Sequence, residues 1–337
     1  MDILHRLFRG RRCALFLLLA ASHQAFGSDL ILRSAEGDSG ERIQSMIDSL
    51  PVEREYVATV ELVGQFEIAN SIVMPNYTRL DLSAARLVLA AGARVPMIIN
   101  ADPDAGNRKI EIIGGVLDGN TSKQGPGDYH GIEFIRVEEA RILDVDVRNC
   151  SGDGIRLTGK GRHTRDVQLR GLRLIDNRRC GLNVMWAERN TFVSDVFAKG
   201  NGEYGIRSDH SEGLYQNIAA DQNVGCGICI RNIFGGTYNN LTASRNGGVG
   251  IHVQGMVCSR GNNWGAHNNS TATPKKLPDL FFDSDASLSY GISKHTVISN
   301  VTAGNYKQYG PATSKAAVAY GAGVREGLLI HNLLEVN

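Results

Sequence analysis

The sequence predicts an all-β chain wound as a single-stranded right-handed parallel β-helix, with a short capping helix near its N-terminus. Two observations carry this. A Gly followed by an aliphatic residue recurs at His130-Gly131-Ile132, Asp153-Gly154-Ile155, Cys180-Gly181-Leu182, Tyr204-Gly205-Ile206, Cys226-Gly227-Ile228 and Val249-Gly250-Ile251, with glycines 23, 27, 24, 22 and 23 residues apart. Asn177, Asn201, Asn223 and Asn246 each stand four residues before their Gly. The second halves of the repeats, such as Arg141-Ile-Leu-Asp-Val-Asp-Val147 and Asn190-Thr-Phe-Val-Ser-Asp-Val-Phe197, alternate apolar with polar residues. That period marks a strand with one buried face. Short strands repeating at about 23 residues suit one coil per repeat, with coils about 4.8 Å apart. Parallel strands joined by crossovers wind right-handed. Ile132, Ile155, Leu182, Ile206, Ile228 and Ile251 should therefore stack inside, each burial contributing about 1.5 to 3 kcal/mol. The repeated Asn and Gly are expected to take the left-handed backbone of the turns.

The elements follow in chain order. Arg6, Arg9, Arg11 and Arg12, an apolar run from Cys13 to Ala21, and Ala25-Phe26-Gly27 read as a signal peptide over residues 1–27. Its apolar run is too short for the roughly 20 residues of a membrane span. Export to the periplasm or the extracellular space is expected, with no membrane association after cleavage. Residues 28–56 read as an N-terminal cap segment and 57–337 as the β-helix. Within the cap, a helix is expected from Asp38 to Leu50. Asp38 would be its N-cap with Glu41 three residues on, and Ile43, Met46, Ile47 and Leu50 would share one face. Pro51 would stop it. Such a helix covers apolar surface and strand edge that an open solenoid end exposes. Ser71-Ile-Val-Met74, Thr78-Arg-Leu-Asp-Leu82 and Ile110 to Asn120 begin the coils. After Ser259 the pattern loosens: Asn269 to Asp285 reads as an excursion around Leu280-Phe-Phe282, and Thr296 to Val301 and Gly327 to Leu334 as the last coils.

Composition narrows the partners. Of 337 residues, Lys and Arg number 36 against 35 Asp and Glu, so the charge of +1 supplies no field to attract nucleic acid. Thirty-nine Gly against 8 Pro suit many tight turns. Beyond Cys13, the cysteines are Cys150, Cys180, Cys226, Cys229 and Cys258, an odd count that gives no full disulfide framework. Cys226-Gly-Ile-Cys229 lacks the second pair that a zinc site needs. No cofactor or metal is expected from the residues, and calcium stays open.

Val63-Gly-Gln-Phe-Glu-Ile68, then Ile72-Val-Met-Pro-Asn-Tyr-Thr-Arg-Leu-Asp-Leu82, then Ile113-Gly-Gly-Val-Leu-Asp-Gly-Asn120 give the chain its resemblance to the pectate-lyase and polygalacturonase-like β-helix superfamily. The resemblance implies a polysaccharide ligand. The Asn-Thr-Asp, Asp-Asp, Gly-His-Gly and Arg-Ile-Lys set of polygalacturonases is absent, as is the paired Arg motif of calcium-dependent pectate lyases. Tyr204-Gly-Ile-Arg207-Ser-Asp209-His210 resembles a displaced Tyr-Gly-Ile/Phe-Asp-Pro-His motif of alginate C5-epimerases. Its His arrives one position late, which by strand parity should turn the ring to the opposite face.

Alternation also assigns the outer face. The residue after each buried aliphatic should point outward, giving Glu133, Arg156, Asn183, Arg207, Cys229 and His252. Two positions on come Thr158, Met185, Asp209, Arg231 and Gln254, with Asp153 and Tyr204 just before the glycines. Arg156, Arg207 and Arg231 suit sugar carboxylates. For uronate lyase or epimerase chemistry the catalytic candidates are Tyr204, Arg207, Asp209, His210 and His252; Glu133, Asp153, Arg156, Asn183 and Arg231 would bind substrate. A glycoside hydrolase would instead draw two carboxyl groups from Glu133, Asp153 and Asp209. A non-catalytic glycan-binding β-helix is the third reading. His130 reads as a loop histidine, and Trp186 and Trp264 as packing residues.

Overall fold

The computed structural model describes residues 30–34, 40–159, 164–187, 189–284, 295–305, 314–321, 324 and 328–336. The expected signal peptide and Asp38 lie outside them. Each coil contributes a short strand to a 10-stranded sheet and a longer one to a 14-stranded sheet, with parallel pairing throughout. A minor strip pairs Asn107–Arg108 with Val137–Glu138. The 14-stranded sheet is here called the long sheet and the 10-stranded one the short sheet.

The aliphatic ladder forms as expected. Ile132, Ile155, Leu182, Ile206, Ile228 and Ile251 are in direct register, all buried. It runs on to Ile98 and Ile72 at one end and to Leu280 and Val318 at the other. The short sheet continues through Leu280–Asp283, and the long sheet through Thr296–Gly304 to Leu328–Val336.

The long strands are not plainly alternating. Most bend at a residue with positive φ, among them Gly171 (φ 67°), Asp195 (φ 57°), Asn217 (φ 55°) and Asn240 (φ 53°). The bend inserts one extra residue into the alternation, so Val193 and Val196 both face inward on the strand Thr191–Lys199.

The repeat Asn and Gly do a different job from the one expected. Neither column has positive φ; the left-handed residues are their neighbours Asp176, Gly200, Gln222 and Arg245. Asn177, Asn201, Asn223, Asn246 and Asn269 are buried and form a ladder. In each rung, Oδ1 accepts from the previous coil while Nδ2 donates to the next Oδ1 and to a long-strand carbonyl. For Asn223 the Nδ2 partners are Asn246 Oδ1 at 2.9 Å and Ala198 O at 3.2 Å. The glycines leave room for these amides. A Cβ on Gly205 would lie 2.7 Å from Asn223 Nδ2 and 2.7 Å from the Gly227 carbonyl. Asp279 takes the glycine position of the coil after Gly250, and its carboxyl closes the ladder by accepting from Asn269 Nδ2 at 2.7 Å.

The cap helix spans Glu41–Asp48 and follows Gly40, which makes no side-chain cap. It is shorter than the expected Asp38 to Leu50, ending three residues before Pro51. Ile43, Ile47 and Leu50 are buried against the first coils. Gln44 completes the edge of the short sheet: its Oε1 accepts from Val73 N–H at 2.8 Å and its Nε2 donates to Val73 O at 3.3 Å. Those backbone groups would otherwise be an open strand edge. Leu30–Arg33 pairs with Ala58–Ile68, so the long sheet begins before the helix.

Candidate functional site

The outer face of the short sheet carries both expected columns. Glu133, Arg156, Asn183, Arg207, Cys229 and His252 are in register, as are Thr158, Met185, Asp209, Arg231 and Gln254. The candidate residues divide into two polar groups and one outlier.

The first group surrounds Asp209. Arg207 and Asp209 sit two apart on Ile206–Asp209, so both point outward; Arg231 is Asp209's neighbour on the next coil. Asp209 Oδ2 accepts from Arg207 Nη2 at 2.6 Å and from Arg231 Nη1 at 3.3 Å. Burial disfavours the Arg207 charge, but the hydrogen bond and charge of Asp209 outweigh this and hold its pKa above the usual arginine value. His210 does not turn inward. The strand ends at Asp209, and His210 takes a left-handed backbone (φ 52°) that keeps its ring outside, 2.7 Å from Asp209 Oδ1 through Nδ1. Parity holds within a strand and fails at a corner, which corrects the expectation. The Asn232 amide donates to His210 Nε2, so the ring proton sits on Nδ1 and is donated to Asp209. Trp186 stacks on the imidazole with centroids 3.8 Å apart, so it supports the site rather than a loop. Tyr204 is half-buried nearby; burial, then the adjacent Cys229 and Cys226 thiols, push its phenol up to about 12. It is therefore a neutral proton donor at physiological pH.

The second group lies two coils away along the axis. Asp153 is fully buried, its Oδ1 accepting from Cys180 N–H at 3.0 Å and its Oδ2 from Asn183 Nδ2 at 2.9 Å. His130, set aside in the sequence as a loop residue, is 2% exposed. Its Nδ1 accepts from Asp153 N–H at 2.8 Å, and its Nε2 lies 3.1 Å from Arg156 Nη1 and 3.8 Å from Glu133 Oε1. Burial lowers its pKa, Asp153 and Glu133 opposing. Arg156 pairs with Glu133 at 3.5 Å. The three arginines thus do not form one cluster: Asn183 separates Arg156 from Arg207. Asn183 Oδ1 and Arg156 Nε are buried with no hydrogen-bond partner. Such orphans are costly unless a ligand or water meets them.

His252 is apart from both groups. It stacks on Phe281 at 5.1 Å and faces Asp283 at 3.8 Å, and burial lowers its pKa against the pull of Asp283. Trp264 is buried inside the coil and donates to Tyr238 O at 2.9 Å, the packing role expected of it. All five described cysteines are free thiols, with burial pushing Cys229 up to about 12. Among the described residues no group of three or more His, Cys, Asp and Glu side chains could hold a metal ion.

Comparison with solved structures places this geometry in a fold. The A-modules of the Azotobacter vinelandii mannuronan C-5 epimerases AlgE4 and AlgE6 match with TM-scores of 0.56 and 0.59 at 17% and 16% identity. They cover 87% and 88% of this chain and 91% and 94% of theirs. The enzymatically active domain of bacteriophage CBA120 tailspike protein 2 matches at 0.65 with 13% identity, over 90% of this chain and 47% of that one. The chain is a right-handed parallel β-helix. No protein-family model matches the sequence, and no curated protein matches it. At these identities the β-helix likeness shows the fold alone.

Proposed function

We propose that this chain is an exported β-helix enzyme that removes the C5 proton of a uronate unit in an acidic polysaccharide, as an epimerase or lyase does. The observation that carries the reading is the single hydrogen-bonded group of Arg207, Asp209, His210 and Arg231 on an open β-helix face, with Tyr204 beside it. Two guanidiniums against one carboxylate sum to one positive charge, matching one uronate carboxylate. The solved structures of like fold include epimerases of mannuronan, which supports the substrate class.

In this mechanism the substrate carboxylate pairs with Arg207 and Arg231, which lowers the cost of the charge that builds on it as the C5–H bond breaks. His210 Nε2, displacing the Asn232 amide, takes the proton, and Asp209 stabilises the imidazolium through Nδ1–H. The electron pair left at C5 is delocalised into the carboxylate. Tyr204 then gives its proton either to C5 from the other face, inverting the centre, or to the departing O4 as the C4–O4 bond breaks, leaving a C4=C5 double bond. Asn183 Oδ1 and Arg156 would meet the hydroxyls of a neighbouring sugar unit.

The hydrolase reading is less well supported. Asp153 is fully buried with both oxygens engaged, Asp209 is held by two arginines, and Glu133 is paired with Arg156. These three carboxyl groups therefore supply no free pair to face a substrate. Export rests on residues 1–27; among the described residues no helix is long and apolar enough to cross a membrane. The test is incubation of the mature protein with acidic polysaccharides in D₂O. Deuterium appearing at C5, or an unsaturated uronate, is the expected result. Binding without either product would make the protein a glycan-binding β-helix, and reducing ends without exchange would make it a hydrolase.

A further inference from the structure

A second groove lies away from the short sheet. It lies on the outer face of the long sheet, with a volume of about 820 Å³, and its lining includes Gln168, Arg170, Phe192, Ser194 and Gln216. This is within the range of ligand sites that enclose a small molecule. Gln168 and Phe192 are direct cross-strand neighbours, as are Arg170, Ser194 and Gln216 in the adjacent column. Neighbouring strands are about 4.8 Å apart and alternate residues about 6.6 Å, so the two columns form a patch the size of one or two sugar rings.

We infer that this groove is a second saccharide-binding site, one that recognises ring faces and hydroxyls rather than charge. Phe192 is 49% exposed, an uncommon position for a large aromatic ring, and it offers a flat apolar face to a pyranose. Around it stand side-chain amides, a hydroxyl and a guanidinium, which together donate to and accept from vicinal hydroxyls. No described carboxylate pairs with the Arg170 guanidinium, so its donors remain available to a ligand. The four charges of the lining balance, Arg141 and Arg170 against Asp166 and Asp195; Arg141 is tied to Glu111 at 3.3 Å, while Asp166 and Asp195 accept from Asn190 and Asn217. A site with that balance differs from the cationic group around Arg207, and its binding should survive high salt.

The experiment uses the full mature chain, with Phe192 as reporter, against cellulose, mixed-linkage glucan, dextran, alginate and polygalacturonate. Oxidative footprinting in 0.5 M NaCl (roughly a 4 to 5 Å screening length) should show Phe192 protected by at least one polysaccharide. Phe192→Ala should weaken that binding roughly three- to tenfold, and Arg170→Ala should weaken it as well. Both residues lie on the surface, so an unchanged thermal midpoint separates lost binding from lost folding. An Arg207→Ala background should leave the protection in place, which distinguishes this site from the proposed catalytic one. The inference is overturned if no polysaccharide protects Phe192, or if protection occurs only with the acidic polymers and disappears with salt.

Discussion

Two polar columns run along this solenoid at the same one-coil spacing, and they differ in a way that separates structure from function. The inner column is the asparagine ladder, uniform from Asn177 to Asn269, fully buried, with every amide engaged by the rungs on either side. The outer column on the short sheet changes chemistry at every coil, from Glu133 through Arg156, Asn183 and Arg207 to Cys229 and His252. Repetition of one residue type satisfies backbone and amide groups that recur identically in each coil. A run of unlike charged residues satisfies no recurring need. Variants in the inner column should therefore alter stability and leave turnover alone, and variants in the outer column should do the reverse.

The largest effect should come from the outer face, at the corner next to Asp209. His210→Gln keeps a polar side chain against Asp209 but removes the basic nitrogen, and turnover should fall about 10²- to 10⁴-fold. The thermal midpoint should barely move, because the side chain is partly exposed and its loss opens no cavity. A comparable loss of stability would assign His210 and Trp186 to packing and break the contrast.

Asn223→Ala is the inner counterpart. It deprives Asn201 of its acceptor and leaves the Ala198 carbonyl without the amide that meets it. With unsatisfied buried groups costing about 1 to 3 kcal/mol each, a loss of about 3 to 5 kcal/mol is expected in denaturant unfolding. Activity per folded molecule should stay level.

Arg207→Ala should cost less than His210→Gln. A charge-assisted partner of the substrate carboxylate contributes about 1.5 to 3 kcal/mol, so binding should weaken by about 10- to 100-fold. Asp209 keeps Arg231 and His210, so the local structure should persist. Unaltered binding of every acidic polysaccharide would move the carboxylate site elsewhere on the face.

The contrast also explains what could be read from the amino-acid sequence. The aliphatic ladder and both outer columns were legible because a strand's period of two, once phased on the Gly-aliphatic pairs, assigns every side chain to a face. The role of the Asn and Gly was not, since composition alone points to left-handed turns; their need for each other appears only when Asn223 Nδ2 is seen against Gly205 one coil away. His210 was misplaced for a similar reason: parity has no force where the chain turns, and nothing local in Ser208-Asp209-His210 marks the corner. His130 was missed because its partners, Asp153 and Arg156, belong to the following coil. What could have found it is its place just before Gly131, the position that Asp153 and Tyr204 occupy in later repeats.

The end of the inner ladder supplies the smallest and most specific test. Asp279 is fully buried, one oxygen accepting from Asn269 and the other, Oδ2, without a hydrogen bond. Burial raises its pKa from 3.8 to about 6, opposed by the hydrogen bonds from Asn269. A carboxyl whose folded pKa is raised binds its proton more tightly in the fold, so its stabilising contribution is full below pH 3.8 and is lost as pH rises through about 6. His130 and His252, whose pKa values are lowered, act in the opposite sense, destabilising the fold as pH falls below their ordinary value of 6.5. Comparing Asp279→Asn with wild type cancels the histidines and isolates the ladder's last rung. An amide there cannot ionise, so the variant should be more stable than wild type by roughly 1 to 3 kcal/mol at pH 8. At pH 4 the advantage should nearly vanish, because the wild-type carboxyl is then protonated in the fold. Denaturant unfolding at the two pH values measures the difference directly. An equal effect at both would mean that Asp279 does not titrate as the end of the ladder, and that its charge is met by a group outside the asparagine column.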